Sequence, residues 1–136
     1  MTPAWVPDAL AAAPVARLAT RSAAGEVHLV PICFAVVAER VVSAVDHKPK
    51  RTTRLQRLTD IRTSGRAWLI VDHYDDDWSQ LWWIRVSGRA AVEQSGSDLD
   101  VAARAALVAK YEQYRHHRPA GPVYWVALDT VTGWRP

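Results

Sequence analysis

Short apolar runs, each bounded by turn residues, recur along most of this chain. Their alternation of apolar and polar side chains, rich in valine and isoleucine, is typical of half-buried β-strands. Gly25 marks a turn between the first two runs. Pro31 lies inside the second run and favours an edge or a bulge there, because proline lacks an N–H. Gly88 predicts a bend in the longest run. The predicted strands are 15–20, 28–37, 41–46, 67–74, 81–94 and 123–135.

Two other segments have the spacing of helices. Residues 8–13 predict a short helix that ends near Pro14. Residues 98–115 predict a long amphipathic helix, for which Ser97 or Asp98 is a suitable cap. Both helices are therefore expected to be inserted between strands.

A third predicted helix follows the segment around residue 52, where Thr52 or Thr53 can cap its first turn. Its apolar residues recur at helical spacing on one face, and two arginines lie on another face. The apolar face comprises Leu55, Leu58 and Ile61, and the other face comprises Arg54 and Arg57.

The predicted strands mostly follow one another directly, with about three helices inserted among them. Parallel neighbours would need long crossover connections, so the short turns favour antiparallel pairing. We therefore predict a mainly β fold with inserted helices, an antiparallel barrel in a single domain that spans residues 1–136.

Composition restricts the classes of function. The formal net charge of +3 over 136 residues is modest, so the whole molecule lacks the charge expected of a nucleic-acid binder. No apolar run approaches the roughly 18 residues that span a bilayer, and the first residues lack the basic start of a secretory signal. Cys33 is the only cysteine, which fits a reducing compartment. We expect a cytoplasmic protein without membrane or nucleic-acid partners.

Positive charge is concentrated in one segment, DHKPKRTTRLQRL at 46–58. Such a cluster can be a solvated surface loop, a nucleic-acid patch beside aromatic residues, or a phosphate site. It follows a predicted strand and enters a predicted helix, whose N-terminus offers free N–H groups and partial positive charge to a phosphate. No Gly-x-Gly-x-x-Gly or Gly-x-x-x-x-Gly-Lys-Ser/Thr motif is present, which argues against a Rossmann or P-loop site.

The order of several segments resembles a known family. ARLATRSAAGEVHLVPICFAV, VVSAVDHKPKRTTRLQRLTDI, GRAWLIVDHY and LWWIRVSGRA follow the order seen in the pyridoxamine-phosphate-oxidase-like flavin and deazaflavin oxidoreductases. The chain is most similar to their actinobacterial branch, which uses coenzyme F420, over about residues 10–95. The resemblance implies a split β-barrel (the FMN-binding split barrel) that forms a homodimer with a cofactor groove between the subunits. Where the family helix commonly has asparagine before an aliphatic residue, this chain has Asp60 before Ile61.

The resemblance also implies which residues bind the cofactor. Basic residues after the third strand and in the following helix would hold its phosphate, with two threonines as donors. The isoalloxazine-type ring would lie along the second and third predicted strands. The implied phosphate residues are Lys48, Lys50, Arg51, Thr52, Thr53, Arg54 and Arg57. The implied ring residues are His28, Val30, Pro31, Ile32, Ser43, Ala44, Val45 and Asp46.

The implied function is that of an F420-dependent oxidoreductase, which transfers a hydride between the deazaflavin and a small unsaturated organic substrate. Because hydride transfer is the cofactor's own chemistry, no acid-base constellation is required of the protein and no catalytic residue is assigned. An FMN-dependent oxidoreductase, a cofactor carrier or sensor without turnover, and a nucleic-acid binder are the alternatives.

A tryptophan-rich strand carries the candidate substrate residues. Trp82 and Trp83 are sequence neighbours and so face opposite sides of a strand. One of them can stack in a substrate or cofactor pocket, or both can pack in the core or the dimer interface. Arg85 shares a face with Trp83, where it can meet an anionic substrate or pair with Asp72 or Asp75.

Other chemically versatile residues are expected to be structural. DHYDDD at 72–77 offers carboxylates and an imidazole, but no second histidine lies at metal spacing, so a solvated turn is expected. The two histidines at 116–117 end a helix, where cations offset the helix dipole. We therefore predict no metal site. Cys33 lies in an apolar run without an evident partner base, which favours a buried thiol over a nucleophile.

Overall fold

The computed structural model describes residues 2–45 and 53–136, with residues 53–55 described by their backbone alone. Eight strands and four α-helices occur in these residues. The strands are β1 (Ala16–Arg21), β2 (Val27–Ile32), β3 (Ala35–Val37), β4 (Arg40–Ala44), β5 (Arg66–His73), β6 (Trp82–Val92), β7 (Val123–Ala127) and β8 (Thr130–Trp134). The helices are α1 (Val6–Ala12), α2 (Thr53–Ser64), α3 (Asp98–Lys110) and α4 (Glu112–His116), and a short 3-10 helix covers Trp78–Gln80.

The described strands pair in an antiparallel manner throughout. Their order in the sheet is β2-β1-β5-β6-β7-β4-β3, and β8 also pairs with β6. Residues 82–89 of β6 pair with β5, whereas residues 90–92 pair with β7. β6 therefore belongs to both halves of the barrel and passes from one to the other near Gly88.

Gly88 permits this passage because the backbone of β7 lies against it. A Cβ atom at position 88 would overlap the carbonyl oxygen of Ala127 and lie 2.9 Å from Oδ2 of Asp129. Asp129 in turn accepts three hydrogen bonds from Arg89, two from its guanidinium and one from its backbone N–H, each 2.9 Å long. The bend near Gly88 thus needs glycine because two backbones approach closely there.

Two predicted strands are each divided in the structure. The predicted strand 28–37 becomes β2 and β3, which lie at opposite ends of the strand order. Phe34, at this break, is fully buried, and its backbone N–H and carbonyl both hydrogen bond to the hydroxyl of Tyr111. The predicted strand 123–135 likewise becomes β7 and β8, with Asp129 between them. The prediction of single strands is wrong at both places, because contacts with distant residues determine the breaks.

The predicted helix at 98–115 is also divided, at Tyr111. This residue has extended backbone angles, φ −112° and ψ 119°. Its hydroxyl donates to the carbonyl of Pro14 at 2.8 Å and also contacts Phe34. The prediction of a cap is confirmed, since Ser97 Oγ accepts from the N–H of Asp100.

Within the described residues no helix has the length and apolar character needed to cross a bilayer.

The main core lies between the two halves of the sheet and beneath α1 and α2. α2 contributes Leu58 and Ile61 to it, as its apolar spacing predicts. α3 packs on β3 and β4 through Ala103 and Leu107, which belong to a second, smaller core. A mainly antiparallel β architecture with inserted helices is thereby confirmed.

Candidate functional site

A groove of about 260 Å³ lies between β2 and β4, beside α2 and α4. Six of its lining residues are ones that the family resemblance implies as cofactor residues, so the structure brings these six together. That they bind a cofactor stays a prediction. The six are Val30, Pro31, Ile32, Ser43, Ala44 and Arg57, and the wall is completed by Cys33, Gln113 and Tyr114.

The two strands that form the groove are placed by sequence features that are visible locally. β2 is an edge strand of the sheet, as Pro31 predicts. Val30 and Ile32 share one face of β2 because side chains alternate along a strand. On β4, Ser43 Oγ donates to the carbonyl of Cys33 at 2.7 Å, which joins β4 to the end of β2.

Arg57 brings a buried positive charge to this groove. Arg57 is 8% exposed. Its Nη1 donates to the hydroxyl of Tyr124 at 2.9 Å, and its guanidinium lies 5.6 Å from the centroid of the Tyr124 ring. Its Nε is buried without a hydrogen-bond acceptor among the described residues. Buried cations are usually paired with carboxylates, yet no ion pair joins Arg57 to an acidic side chain in the described part of the chain. Among the described residues, the groove wall therefore offers a cation and an N–H without an acceptor to a ligand.

Two of the other predicted phosphate residues lie in the described part of the chain. Thr53 and Arg54 lie in the first turn of α2, so a helix begins where the sequence predicts one. Five predicted cofactor residues lie outside the described residues: Asp46, Lys48, Lys50, Arg51 and Thr52. Val45 is only 2% exposed, packs in the main core and does not line this groove, and its contact with a ring stays a prediction.

The remaining predicted ring residue, His28, contacts a buried carboxylate. Its Nδ1 lies 2.8 Å from Oδ2 of Asp60, which is 1% exposed. Thr20 Oγ1 donates to the same oxygen at 2.8 Å, and Gln56 Nε2 donates to Oδ1 at 2.7 Å. Burial raises the pKa of Asp60, but the hydrogen bonds from Gln56, His28 and Thr20 together outweigh it and lower that pKa from its ordinary value. Asp60 thus stays ionised at neutral pH and joins α2 to β1 and β2.

Sequence reasoning identified Asp60 only as a departure from the family pattern. Gln56 and Asp60 are four residues apart on α2, a spacing that places two side chains on the same helix face. Thr20 and His28 are register partners on β1 and β2. The helical spacing is visible in the sequence, whereas the docking of α2 on these two strands is a tertiary feature.

Cys33 does not have the environment that its apolar neighbours predict. It lies between β2 and β3, is half-buried, and lines the groove. The prediction of a thiol buried inside a strand is therefore wrong. The nearby amine of Lys110 is buried 3.9 Å from the ring centroid of Phe34, and burial lowers the pKa of Lys110 to about 8 although negative charge on Cys33 would raise it.

The predicted substrate residues lie away from this groove. Trp82 packs against the main core and contacts Trp5 edge to face, with ring centroids 6.0 Å apart. Trp83 stacks on Trp134 at 6.4 Å, and the Arg85 guanidinium lies 4.6 Å from the Trp83 ring centroid. The two tryptophans therefore face opposite sides of β6 as expected, but neither lines the groove between β2 and β4 within one chain.

Of the two alternatives for Arg85, the ion pair with Asp72 or Asp75 is not formed among the described residues. Asp72 instead accepts from Arg17 at 2.6 Å. Asp75 lies 3.8 Å from His73 and also accepts from the backbone N–H of Asp77. Asp77 caps the 3-10 helix by accepting from Ser79, so the acidic segment has the hydrogen bonds of an ordinary turn. In the described residues no group of three or more His, Cys, Asp or Glu side chains is placed to hold a metal ion.

The outward side of β2, β1, β5, β6 and β8, here called the outer face, exposes apolar side chains among polar ones. Leu29 is 74% exposed and Val27 is 62% exposed, both on β2. A shallow groove of about 430 Å³ crosses this face beside Leu29, Trp68 and Ile70. Exposed apolar surface of this kind marks sites of interaction.

No protein-family model matches this chain, and no curated protein matches it. Solved structures do match nearly all of it. The heme storage protein HutZ from Vibrio cholerae has a TM-score of 0.73 at 10% identity, over 96% of this chain and 91% of HutZ. The FAD binding protein from Mycobacterium smegmatis has a TM-score of 0.68 at 19% identity, over 99% and 96% of the two chains. A FAD-binding protein from Mesorhizobium loti has a TM-score of 0.69 at 18% identity, over 93% and 87%.

These similarities concern the fold. They extend over almost the whole length of each chain, at identities too low to transfer a ligand or an activity. The chain therefore has the split β-barrel fold, and the prediction of that fold from the sequence is confirmed.

Proposed function

We propose that this protein is a coenzyme F420-dependent oxidoreductase that reduces a small unsaturated organic substrate. The observation that carries the proposal is Arg57, a buried guanidinium in the wall of an open groove. Its Nε has no acceptor in the described part of the chain. A buried cation without a carboxylate is stabilised when an anionic ligand binds, because charge-assisted hydrogen bonds are the strong ones.

The groove residues fit the parts of such a cofactor. Val30, Pro31 and Ile32 supply an apolar edge for a flat ring system, and Arg57 supplies a cation at the same wall. The segment that precedes α2 carries Lys48, Lys50 and Arg51, which would add charge for the phosphodiester and the acidic tail of F420. The FAD-binding proteins of similar fold lend support to a flavin-type ligand.

Once bound, the deazaflavin supplies hydride chemistry, and the protein supplies orientation and a dry pocket. Arg57 would orient the anionic part of the cofactor, and its contact with Tyr124 holds the guanidinium in place. The apolar side chains of β2 would exclude water from the ring. We assign no acid or base among the groove residues themselves.

Arg57→Met is expected to weaken F420 binding by about 10-fold to 100-fold, since one hydrogen bond to a charged group contributes about 1.5–3 kcal/mol. Methionine fills similar space and removes the buried charge, so the fold should persist. The measurement is a fluorescence titration of purified protein with F420 and, separately, with FMN. Arg62→Met, an exposed position on the same helix, is the matched control and should bind as the native protein does.

The titration separates the alternatives. Tight F420 binding with weak FMN binding, both dependent on Arg57, supports the proposal. Tight FMN binding that exceeds F420 binding would make the protein an FMN-dependent enzyme. Binding of neither cofactor would contradict the proposal, as would equal affinities for the Arg57 and Arg62 variants.

We also propose that the protein is a homodimer that associates through the outer face. The exposed Leu29 and Val27 lie on β2, the same strand whose other side chains line the groove. A partner packed against β2 would therefore lie next to the groove, in line with the cofactor site between subunits that the resemblance implies. Arg17 lines the groove on this face and forms an ion pair with Asp72.

Leu29→Asp is expected to convert the dimer to a monomer, because a charge placed in an apolar interface loses its hydration without gaining a partner. Sedimentation velocity would measure the mass in solution. Ala24→Asp, exposed in the adjoining turn, makes the same charge change off the face and should leave the dimer intact. A native protein that sediments as a monomer would contradict this part of the proposal.

A further inference from the structure

His28 is held by Asp60 in a way that determines which of its nitrogens can exchange a proton. The Asp60 carboxylate is buried and ionised at neutral pH, so it acts only as an acceptor. Nδ1 of His28, 2.8 Å away, must therefore carry the proton of that hydrogen bond. Nε2 then carries a lone pair when the ring is neutral and a hydrogen when the ring is an imidazolium. A histidine arranged in this way can act as a proton shuttle.

The position of Asp60 is itself determined by buried donors. Thr20 is 2% exposed and Asp60 is 1% exposed, so their 2.8 Å hydrogen bond is protected from water. Gln56 donates to the second oxygen. The side chain of His28 is 41% exposed, so its far end reaches solvent while its near end is anchored. Thr20 and Gln56 are thus the two donors that fix this carboxylate besides His28.

His28 is not among the residues that line the groove, but two chain segments put it close to them. On β2, His28 precedes Val30 by two residues and shares its face, so it lies about 7 Å along the strand from a groove residue. On α2, Asp60 follows Arg57 by three residues, a rise of about 4.5 Å along the helix. The His28–Asp60 pair is thus about one helical turn, or one strand repeat, from the residues that line the groove.

We propose that His28, positioned by Asp60, gives a proton through Nε2 to the substrate that is reduced in the neighbouring groove. This inference rests on the proposed function. Reduction of a conjugated carbonyl compound breaks one C=C π bond and forms two C–H bonds. A hydride from the reduced deazaflavin supplies one hydrogen and both electrons, and the cofactor is oxidised accordingly. The imidazolium supplies the other hydrogen as a proton, and water then returns a proton to Nε2.

The first test measures the tautomer and its response to cofactor without any turnover. In protein labelled with ¹⁵N-histidine, we expect the neutral His28 ring to show a protonated Nδ1 and an unprotonated Nε2. Added oxidised F420 should shift the Nε2 resonance, because the cofactor occupies the adjoining groove. Asp60→Asn should mix the two tautomers, since the amide no longer requires a donor from Nδ1. A protonated Nε2 in the neutral native ring would overturn the proposal.

The second test measures proton donation by chemical rescue. His28→Ala should lower the rate of menadione or 2-cyclohexenone reduction by reduced F420 by about 100-fold or more, within the range usual for general acids. Because the resemblance also implies His28 as a ring residue, the F420 affinity of this variant is measured too, and the rate is compared at saturating cofactor. Added imidazole should restore part of the rate. A variant of full activity, or one that imidazole does not rescue, would overturn the role of Nε2.

The two proposals fail in different ways. If fluorescence shows no F420 binding, the proposed function fails and the assignment of His28 falls with it. If F420 binds through Arg57 but the Nε2 resonance does not respond, the cofactor site stands and the proton donor is wrong. His28→Gln is the second variant for these measurements, since it retains a donor toward Asp60 but cannot exchange a proton.

Discussion

Replacing Gly88 by alanine is expected to lower the free energy of unfolding by about 3 to 4 kcal/mol, a large effect for one methyl group. The new Cβ would overlap the carbonyl oxygen of Ala127 and approach Asp129. The overlapping atom belongs to the backbone, which cannot move aside as a flexible side chain can. Relief would require β7 to move away from β6 and would disturb the hydrogen bonds between Arg89 and Asp129. Urea denaturation followed by circular dichroism measures the loss.

The matched control is Gly25→Ala. Gly25 has φ +87°, and no atom lies within 4 Å of a Cβ there, so this variant tests backbone strain without a clash. Its expected cost is about 1 kcal/mol. If Gly88→Ala cost no more than Gly25→Ala, the close approach of β6 and β7 would not limit the fold.

Asp60→Ala is expected to destabilise the protein by about 2 to 4 kcal/mol at pH 7, because it leaves three donors without their acceptor. The hydroxyl of Thr20 is the most costly of them, since it is buried. Asp60→Asn should cost less, because the amide oxygen can still accept from Thr20 or Gln56. Thermal and urea denaturation would rank the two variants.

The penalty for Asp60→Ala should depend on pH in a defined direction. The pKa of Asp60 is lowered in the folded protein, so its stabilising effect is complete above the ordinary value of 3.8 and is lost as the pH falls through the lower folded value. The difference between native and variant stability should therefore shrink below about pH 4. Asp76→Ala, at an exposed turn position, should stay within about 0.5 kcal/mol of native at every pH. A penalty for Asp60→Ala that grows toward acid would contradict this account.

Local sequence patterns predict some features of the candidate site and not others. Period-two alternation in β2 puts Val30 and Ile32 on one face, and Pro31 predicts an edge strand; both features are present. The resemblance implied Arg57 of the basic segment as a phosphate residue. It did not indicate that Arg57 is buried against Tyr124. Tyr124 lies 67 residues away along the chain, and no spacing within a helix reports such a contact.

The residues that sequence reasoning missed share one cause. Gln113 and Tyr114 line the groove only because the helix predicted at 98–115 breaks at Tyr111. That break follows from hydrogen bonds to Pro14 and Phe34, which are remote in sequence. Cys33 lines the groove for a related reason, since the predicted strand around it ends before Phe34.

By itself the sequence determined the mainly β architecture, the position of the helices and the strand that bends at Gly88, because alternation, capping and glycine are local properties of the chain. Through resemblance it also predicted that apolar β2 residues and Arg57 belong to a cofactor site. Only the tertiary structure decided that Asp60 holds His28, that Arg57 is buried, and that Trp83 and Arg85 lie on the outer face. Each of these features depends on which distant elements pack together. Such packing leaves no periodic pattern in the sequence from which it could be predicted.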